Sequence, residues 1–436
     1  MLSTAARNIF AETLLRIDAE HAIRRTVKIK DGRLLVSGDE FELGSIYVVA
    51  IGKAAYQMAI GFDKIAGKFI KAGVISGVFP ERSDHELSSK WKCFAGGHPL
   101  PNEVSLDAGR ACLDLLGSIE DGDALIVFLI SGGGSAMMDL PVDPIIRLQD
   151  LREMNEILVT SGAEITEINS IRRAVSSVKG GKLAQQALNV KQISLVISDT
   201  SAGDISSVAS GPSIQPDKYI PDPLQVVEKY RFDEKLPVSV MKALSDPAKQ
   251  SFCESRIDEH VYVLLDNAFM IGQAAEIAGS FGFTVAVDTA AGDLPIEVGC
   301  KKLYEQLIEL RASVETEQPV CLISGGEFGC TVKGSGIGGR NSETVLRLAL
   351  LMEDRPFLGS EYSILSAGTD GIDGNSPAAG AVLDDTGIRR AKEQGLEPQK
   401  YLDKSDSFSF FDSIGDAIIT GPTGTNVRDI RILIAG

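Results

Sequence analysis

The sequence is poor in the residues from which metal sites and disulfide frameworks are built. Its 436 residues include four histidines and six cysteines, with no C-x-x-C pair and no H-x-x-x-H pair. Structural zinc sites and disulfide-stapled domains need such closely spaced ligands. A zinc site and an oxidised framework are therefore not predicted, and this cysteine usage is typical of a reduced, cytosolic protein.

Long apolar runs and an excess of basic residues are also lacking. The longest apolar runs, such as residues 124–130, are far shorter than the roughly 20 residues of a membrane span. Lysine and arginine number 43 against 60 aspartates and glutamates, which gives a net charge of −17. Because an acidic chain repels nucleic acid, we expect no nucleic-acid partner. The short apolar runs and the cysteine usage predict a cytoplasmic protein with no membrane partner. A homodimer is left open.

One pattern is repeated along the chain: a short apolar run, a glycine-rich loop and a helical periodicity. The apolar runs lie at residues 46–51, 124–130, 193–197, 261–265, 283–287, 320–323, 362–365 and 417–419. Strands covered by helices on both faces have this continuous apolar character. The pattern predicts an α/β fold, with a β-α-β unit over 261–287 and an amphipathic helix over 3–28.

At roughly 150 residues per domain, the length predicts two or three domains, and the stretch of weakest periodicity indicates one break that divides the chain into two. Four prolines lie between residues 212 and 223, and a polar stretch of weak periodicity follows over 232–258. Prolines so closely spaced interrupt regular structure. We predict an N-terminal domain over 1–240 and a C-terminal domain over 255–436.

Glycine accounts for 44 of the 436 residues, above the usual share of roughly 7%. The excess is concentrated in loops that follow the apolar runs, of which Ser131-Gly132-Gly133-Gly134-Ser135 is the richest. Ligands of open parallel sheets bind at the carboxyl ends of the strands, and glycine lets backbone N–H groups converge on an anion. The loops therefore indicate anion binding.

Two basic residues stand where such a loop leads into a helix. A lysine at a helix N-terminus, as expected for Lys53, is repelled by the positive end of the helix dipole. An anion bound by both the lysine and the helix N–H groups would make this position favourable. Arg340 follows the glycine loop 334–339, and its planar guanidinium suits phosphate or carboxylate oxygens. We interpret both as anion ligands; the alternatives are a solvated lysine and an arginine in a structural salt bridge.

Polar residues after the apolar runs form a third group of candidates. Carboxylates near bound phosphates can hold Mg²⁺ or take a proton from a substrate hydroxyl. The alternative is that they form turns and cap helices. The group consists of Asp199, Asp204, Glu327, Asp370 and Asp373, with Asn426 on the same footing.

Three familiar active-site motifs are not supported. Gly334, Gly336 and Gly339 match G-x-G-x-x-G, but no acidic residue ends a second strand about 20 positions on, as a dinucleotide site requires. A Walker A loop is absent. Ser135 is not in a G-x-S-x-G elbow and has no evident histidine partner; His98, in a Gly/Pro turn, is more simply structural.

Taken in order, the motifs resemble those of type II glycerate kinases, the glycerate 2-kinase family with a C-terminal MOFRL domain. The resemblance extends over essentially the whole chain. It rests on GKAA at 52–55, GHP at 97–99, SGGGSA at 131–136, the stretch 171–184 ending in KGGKLA, SD to GP over 198–212, SGGE at 324–327, GGRN at 338–341, TDGIDG at 369–374 and GPTGTN at 421–426. Ser342, residues 375–377 and Arg428 depart from the usual pattern but spare the charged groups.

The resemblance implies phosphorylation of D-glycerate at its 2-hydroxyl by ATP with Mg²⁺. It also implies a Rossmann-like parallel sheet in the N-terminal domain, a mixed sheet in the C-terminal domain, a MOFRL region at about 318–430 and an active site in the cleft between the domains. The family's active-site lysine and arginine fall on Lys53 and Arg340.

The mechanism we predict is neutralisation and positioning of the transferred phosphoryl group. Lys53 and Arg340 supply charge, Asp370 orients the attacking hydroxyl, and Asp199 is an indirect Mg²⁺ ligand. The expected substrate- or ATP-binding residues are Ser131, Gly132, Gly133, Gly134, Ser135, Asp204, Glu327, Asn341, Asp373 and Asn426. Two alternatives are an NAD(P)H-dependent hydroxypyruvate reductase and a non-catalytic anion-binding protein.

Overall fold

The computed structural model describes residues 1–80, 87–200, 204–215, 220–246, 260–315, 318–354 and 361–436. They form two compact units. The N-terminal unit comprises residues 19–265, and the C-terminal unit comprises residues 1–18 with 266–436. Part of the predicted domain boundary, residues 216–219 and 247–258, lies outside the described residues.

The helices of the described residues are numbered in chain order. They are α1 Leu2–Arg16, α2 Ala19–Thr26, α3 Ala55–Ala66, α4 Glu103–Gly117, α5 Gly134–Met137, α6 Leu148–Thr160, α7 Ile165–Val175, α8 Lys182–Gln185, α9 Pro223–Tyr230, α10 Val238–Leu244, α11 Asn267–Ser280, α12 Ile296–Ala312, α13 Arg340–Asp354, α14 Gly387–Glu393, α15 Pro398–Asp403 and α16 Ser407–Ser413. A 3₁₀ helix spans Ile205–Ser210. Among these helices, none combines the length and apolar character needed to cross a membrane.

The strands of the described residues are numbered in the same way. They are β1 Val27–Lys30, β2 Arg33–Val36, β3 Asp39–Glu42, β4 Ile46–Gly52, β5 Ile70–Gly77, β6 Trp91–Phe94, β7 Leu125–Ser131, β8 Lys191–Ile197, β9 His260–Leu265, β10 Thr284–Asp288, β11 Val320–Gly325, β12 Tyr362–Gly368, β13 Gly380–Asp384, β14 Ala417–Ile418 and β15 Asp429–Ala435.

The main sheet of the N-terminal unit is parallel, with the strand order β6-β5-β4-β7-β8-β9. The chain leaves β4 in one direction and returns to β7 on the other side, which is the doubly wound arrangement. Every residue of β7 is buried, as expected for a strand covered on both faces. The topological switch point, where such sheets bind ligands, therefore lies between β4 and β7.

The sheet of the C-terminal unit is mixed, with the order β10-β11-β15-β12-β13-β14. Only β10 and β11 are parallel, and the other neighbours are antiparallel. The two predicted sheet types, parallel in the N-terminal part and mixed in the C-terminal part, are confirmed.

Two predictions about chain connectivity are wrong. The expected helix over 3–28 is two helices: α1 ends at Arg16 and packs on α11 and β12, whereas α2 packs on α3. The expected β-α-β unit over 261–287 does not exist, because β9 pairs with β8 and β10 pairs with β11 of the other unit. An apolar pattern identifies a strand or helix, but it does not specify which sheet or partner the element packs against.

A buried ion pair in the N-terminal unit joins the segment that follows α5 to the segment between α7 and α8. The side chains of Lys179 and Asp139 are each 2% exposed and in contact. Asp139 also accepts hydrogen bonds from Ser176 Oγ at 2.6 Å and from the backbone N–H of Leu140 at 2.8 Å. Burial lowers the pKa of Lys179, an effect that the Asp139 charge opposes.

Replacing Lys179 with methionine is expected to lower the free energy of unfolding by about 3–5 kcal/mol, since it leaves the Asp139 carboxylate buried without its cation. Urea denaturation measures the loss. Lys64→Met is the matched control, because the Lys64–Glu20 pair is exposed and such pairs contribute about 1 kcal/mol or less. Equal losses in the two variants would contradict this account.

Candidate active site

The carboxyl ends of β4 and β7 meet at the switch point of the N-terminal unit. Gly52 ends β4 with a φ of +111°, and a Cβ at that position would overlap the carbonyl group of Ser131. The backbone N–H of Lys53 donates to Gly132 O at 2.9 Å, and that of Ala54 donates to Ser131 Oγ at 3.0 Å. Glycine at position 52 therefore lets the Lys53 segment bond directly to the 131–135 loop.

Lys53 lies two residues before α3, beside the glycine loop. An ideal Cβ at Gly133, whose φ is +79°, would lie 3.1 Å from both Lys53 Cγ and His98 Cδ2. Gly134 and Ser135 begin α5, where the first N–H groups of a helix have no intrahelical partner. The fold thus places the side chains of Lys53 and His98 beside the glycine loop at the start of α5.

Asp199 borders this loop, because a Cβ on Gly132 would overlap its carboxylate. Asp204 has a different environment. Its carboxylate accepts hydrogen bonds from Ser206 Oγ at 3.1 Å and from Ser207 Oγ, at the start of the 3₁₀ helix. Ser135 Oγ lies 2.7 Å from Ser210 Oγ, at the end of the same helix.

Arg340 is the first residue of α13, in the C-terminal unit. Its Nε and Nη2 donate to the two carboxylate oxygens of Asp429 at 2.5 and 3.1 Å, and Nη2 also lies 3.0 Å from Glu327 Oε1. The Arg340 side chain is 35% exposed, whereas that of Asp429 is 2% exposed. Burial disfavours the charge, but Asp429 and Glu327 outweigh it and raise the pKa of Arg340.

The N-terminus of α13 is fixed by Asp373. Its buried carboxylate accepts hydrogen bonds from the backbone N–H groups of Asn341 and Ser342, both at 2.8 Å, and from Ser342 Oγ at 2.6 Å. Burial raises the pKa of Asp373, while these hydrogen bonds oppose the change. Asn341 is buried as well, and its Oδ1 accepts a hydrogen bond from Ser366 Oγ at 2.6 Å. Asp373 therefore holds the helix that carries Arg340.

Asp370 lies close to the Arg340–Asp429 pair. An ideal Cβ at Gly368 would be 3.2 Å from Asp370 Oδ1 and 3.6 Å from Asp429 Oδ1. The backbone N–H of Ile372 donates to Asp370 Oδ1 at 3.1 Å. Asn426 Oδ1, in the following glycine-rich loop, accepts a hydrogen bond from the backbone N–H of Arg428 at 3.0 Å.

Asp429 and Arg431 are functional-site neighbours that sequence reasoning missed. Arg431 is 1% exposed; its guanidinium donates to Gly325 O at 2.6 Å and Gly326 O at 2.9 Å, and so anchors the loop that carries Glu327. The signal was present: both charges alternate with isoleucines in the otherwise apolar β15. Charged residues inside a buried strand need partners.

Within the described ranges, no group of three or more histidine, cysteine or acidic side chains is arranged to hold a metal ion. A resident metal centre has no support from these donors. A Mg²⁺ ion that arrives with a nucleotide needs less, because phosphate oxygens supply much of its coordination and one or two carboxylates suffice. Asp199, beside the 131–135 loop, is a carboxylate of that kind.

Comparison with known proteins places the chain in a family. Residues 5–245 match a domain of unknown function (DUF4147), and residues 320–429 match the MOFRL family. A glycerate 2-kinase from Pyrococcus horikoshii is 33% identical over 98% of this chain and 96% of its own length. The chain belongs to the glycerate 2-kinase family.

Two matches from Thermotoga maritima agree with this placement. A D-glycerate 2-kinase from that organism is 33% identical over 90% of this chain and 91% of its own length. The crystal structure of a glycerate kinase from the same organism is 29% identical and covers 100% of this chain and 99% of that chain, with a TM-score of 0.84. The family likeness therefore includes both units.

Asp429→Asn is expected to lower turnover by about tenfold or more, since the charged hydrogen bonds that orient Arg340 are worth about 1.5–3 kcal/mol. Steady-state kinetics and a melting curve measure the effect. Glu327→Gln is the comparison variant: Glu327 is 34% exposed and its Oε1 lies 3.0 Å from Arg340 Nη2, so its effect on the orientation of Arg340 should be smaller than that of the buried Asp429. Normal turnover in Asp429→Asn would remove this residue from the account.

Proposed function

We propose that the protein transfers the γ-phosphoryl group of ATP to the 2-hydroxyl of D-glycerate, forming 2-phosphoglycerate and ADP. The observation that carries the proposal is the placement of Lys53 beside the glycine-rich 131–135 loop at the switch point of a doubly wound sheet. Family membership supports the choice of substrates. The cytoplasmic location, the lack of a nucleic-acid partner, the homodimer and an active site between the two domains stay predictions.

Phosphoryl transfer needs positioning and charge neutralisation more than covalent help from the protein. In the proposed mechanism, the 131–135 loop binds anionic oxygens through its N–H groups, and Lys53 neutralises them. Asp199 is proposed to bind the Mg²⁺ of MgATP indirectly. That ion, when bound, spreads the charge of the phosphate oxygens.

The C-terminal unit contributes Arg340, which keeps its Nη1 edge outside the contacts to Asp429 and Glu327. We propose that this edge binds a substrate anion and that Asp370, which borders Gly368 together with Asp429, orients the 2-hydroxyl group. Glu327 and Asn426 are proposed to contact substrate. A larger group is proposed to act by holding the elements that carry these residues: Ser135, Asp204, Asn341 and Asp373.

The geometry does not favour the hydroxypyruvate reductase. In the 334–339 loop, the N–H of Gly336 donates to Lys404 O at 3.0 Å, that of Ile337 to Asp406 Oδ1 at 2.9 Å and that of Gly338 to Asn375 Oδ1 at 2.8 Å. A dinucleotide fingerprint needs such N–H groups for its pyrophosphate. This loop uses them to join the 404–406 and 375 segments instead.

The test compares two reactions of the purified protein. With MgATP, we expect ADP to form only when D-glycerate is present; with hydroxypyruvate, we expect no oxidation of NADH or NADPH. Hydroxypyruvate-dependent oxidation without ADP formation would establish the reductase instead. Glycerate binding in calorimetry without turnover would indicate a non-catalytic anion-binding protein.

A further inference from the structure

A cavity of about 430 Å³ lies beside Arg340, wholly within the C-terminal unit. Its lining falls into an apolar part, made by Phe328, Cys330 and Val332, and a glycine part, which includes Gly336 and Gly338. Arg340 contributes to the same lining. A volume of a few hundred Å³ is typical of sites that bury most of an organic ligand.

The apolar part of the lining is buried at Phe328 and exposed to solvent at Val332. Phe328 is 3% exposed, and the guanidinium of Arg431 lies 3.5 Å from its ring centroid. Val332 is 75% exposed. A three-carbon hydroxy acid has almost no apolar surface to place against such residues, whereas an aromatic base has a large one.

The glycine part offers backbone without side chains. Because the N–H groups of Gly336 and Gly338 already donate within the unit, this backbone is held in place and is not a phosphate cradle. Glu343, the acidic residue of the lining, is paired with Arg347 at 2.7 Å. The cavity therefore combines apolar side chains and hydrogen-bonded glycine backbone with the guanidinium of Arg340.

We propose that this cavity binds the adenosine half of ATP and that Arg340 binds the nucleotide's phosphate groups. The inference rests on the proposed kinase function and assigns different roles to the two basic residues. Arg340 binds the nucleotide, and Lys53 binds glycerate and the transferred phosphoryl group. The cavity favours adenosine over glycerate because a lining of apolar side chains and glycine backbone matches a planar base and not a small hydroxy acid.

Two variants narrow the cavity in the full-length protein. Val332→Trp changes an exposed rim residue, and Cys330→Phe enlarges a half-buried wall residue. Val298→Trp is the matched control, because Val298 is 53% exposed on α12 and is not part of the lining. Titration calorimetry gives the Kd of ADP with Mg²⁺, of D-glycerate and of inorganic tripolyphosphate, and a melting curve checks folding.

We expect each cavity variant to raise the Kd of ADP by about tenfold or more, equivalent to about 1.4 kcal/mol. The Kd of tripolyphosphate, which lacks the adenosine, should stay within about twofold of the wild-type value, as should that of D-glycerate. Val298→Trp should change none of them. If Cys330→Phe fails to fold, Val332→Trp at the exposed rim provides the same comparison.

A rise in the Kd of D-glycerate with unchanged ADP affinity would overturn the proposal and assign the cavity to the acceptor. Unchanged affinities in a folded Val332→Trp protein would overturn it as well. In both cases a wild-type protein that still forms phosphoglycerate leaves the kinase function standing. A wild-type protein that neither binds ADP nor forms product overturns both proposals together.

Discussion

Lys53→Ala is expected to lower kcat for glycerate phosphorylation by at least about 10²-fold, with the protein still folded. Lys53 lies beside the 131–135 loop, so in the proposed mechanism its loss removes the charge that stabilises the transferred phosphoryl group. Each 1.36 kcal/mol of lost transition-state stabilisation costs about tenfold in rate. Steady-state kinetics with saturating ATP and D-glycerate measure the change.

Lys64→Ala is the matched control for Lys53→Ala, because Lys64 is an exposed lysine on α3, the helix that Lys53 precedes. It should retain turnover within about twofold of the wild type, as is usual for a surface substitution away from the site. A Lys53→Ala protein with near-normal kcat would exclude Lys53 from the chemistry.

Arg340→Ala is expected to lower kcat/KM by a similar factor, at least about 10², since it removes a guanidinium that forms charge-assisted hydrogen bonds. It also leaves the carboxylate of Asp429, which is 2% exposed, without its main partner. Some loss of stability is therefore expected with it. A melting curve of this variant therefore has to show that the protein is folded at the temperature of the kinetic assay.

Arg340→Lys separates geometry from charge. Lysine keeps the positive charge but cannot donate to both oxygens of Asp429 in the planar arrangement of a guanidinium. We expect a folded protein with kcat/KM lowered by about tenfold or more and with a larger rise in KM for ATP than for glycerate. Arg389→Ala, at a 68% exposed site on α14, is the control. Full activity in Arg340→Lys would show that charge alone suffices.

The predicted site in the N-terminal unit needed only short-range information. The pattern that ends β4 at Gly52 and β7 at Ser131 is local, and a doubly wound sheet makes these two strands neighbours. The proximity of Lys53 to the glycine loop was therefore implied by strand recognition, which depends on apolar runs.

The C-terminal unit was harder to predict, because its site depends on long-range pairing. Asp429 contacts Arg340 although the two residues are 89 positions apart in the sequence. The apolar run of β15 predicts a strand, but it does not predict that this strand lies antiparallel between β11 and β12. Asp373 illustrates a second difficulty. A carboxylate after a strand suits both a substrate contact and a helix cap, and only its three hydrogen bonds to residues 341 and 342 reveal the cap.

The most direct test of the proposed function is ³¹P NMR of the product formed from ATP, Mg²⁺ and D-glycerate. The resonance of a phosphate ester reports both that transfer occurred and which hydroxyl received the group. We predict 2-phosphoglycerate together with ADP. Unchanged ATP with no phosphorylated acid, or 3-phosphoglycerate as the product, would contradict phosphorylation at the 2-hydroxyl.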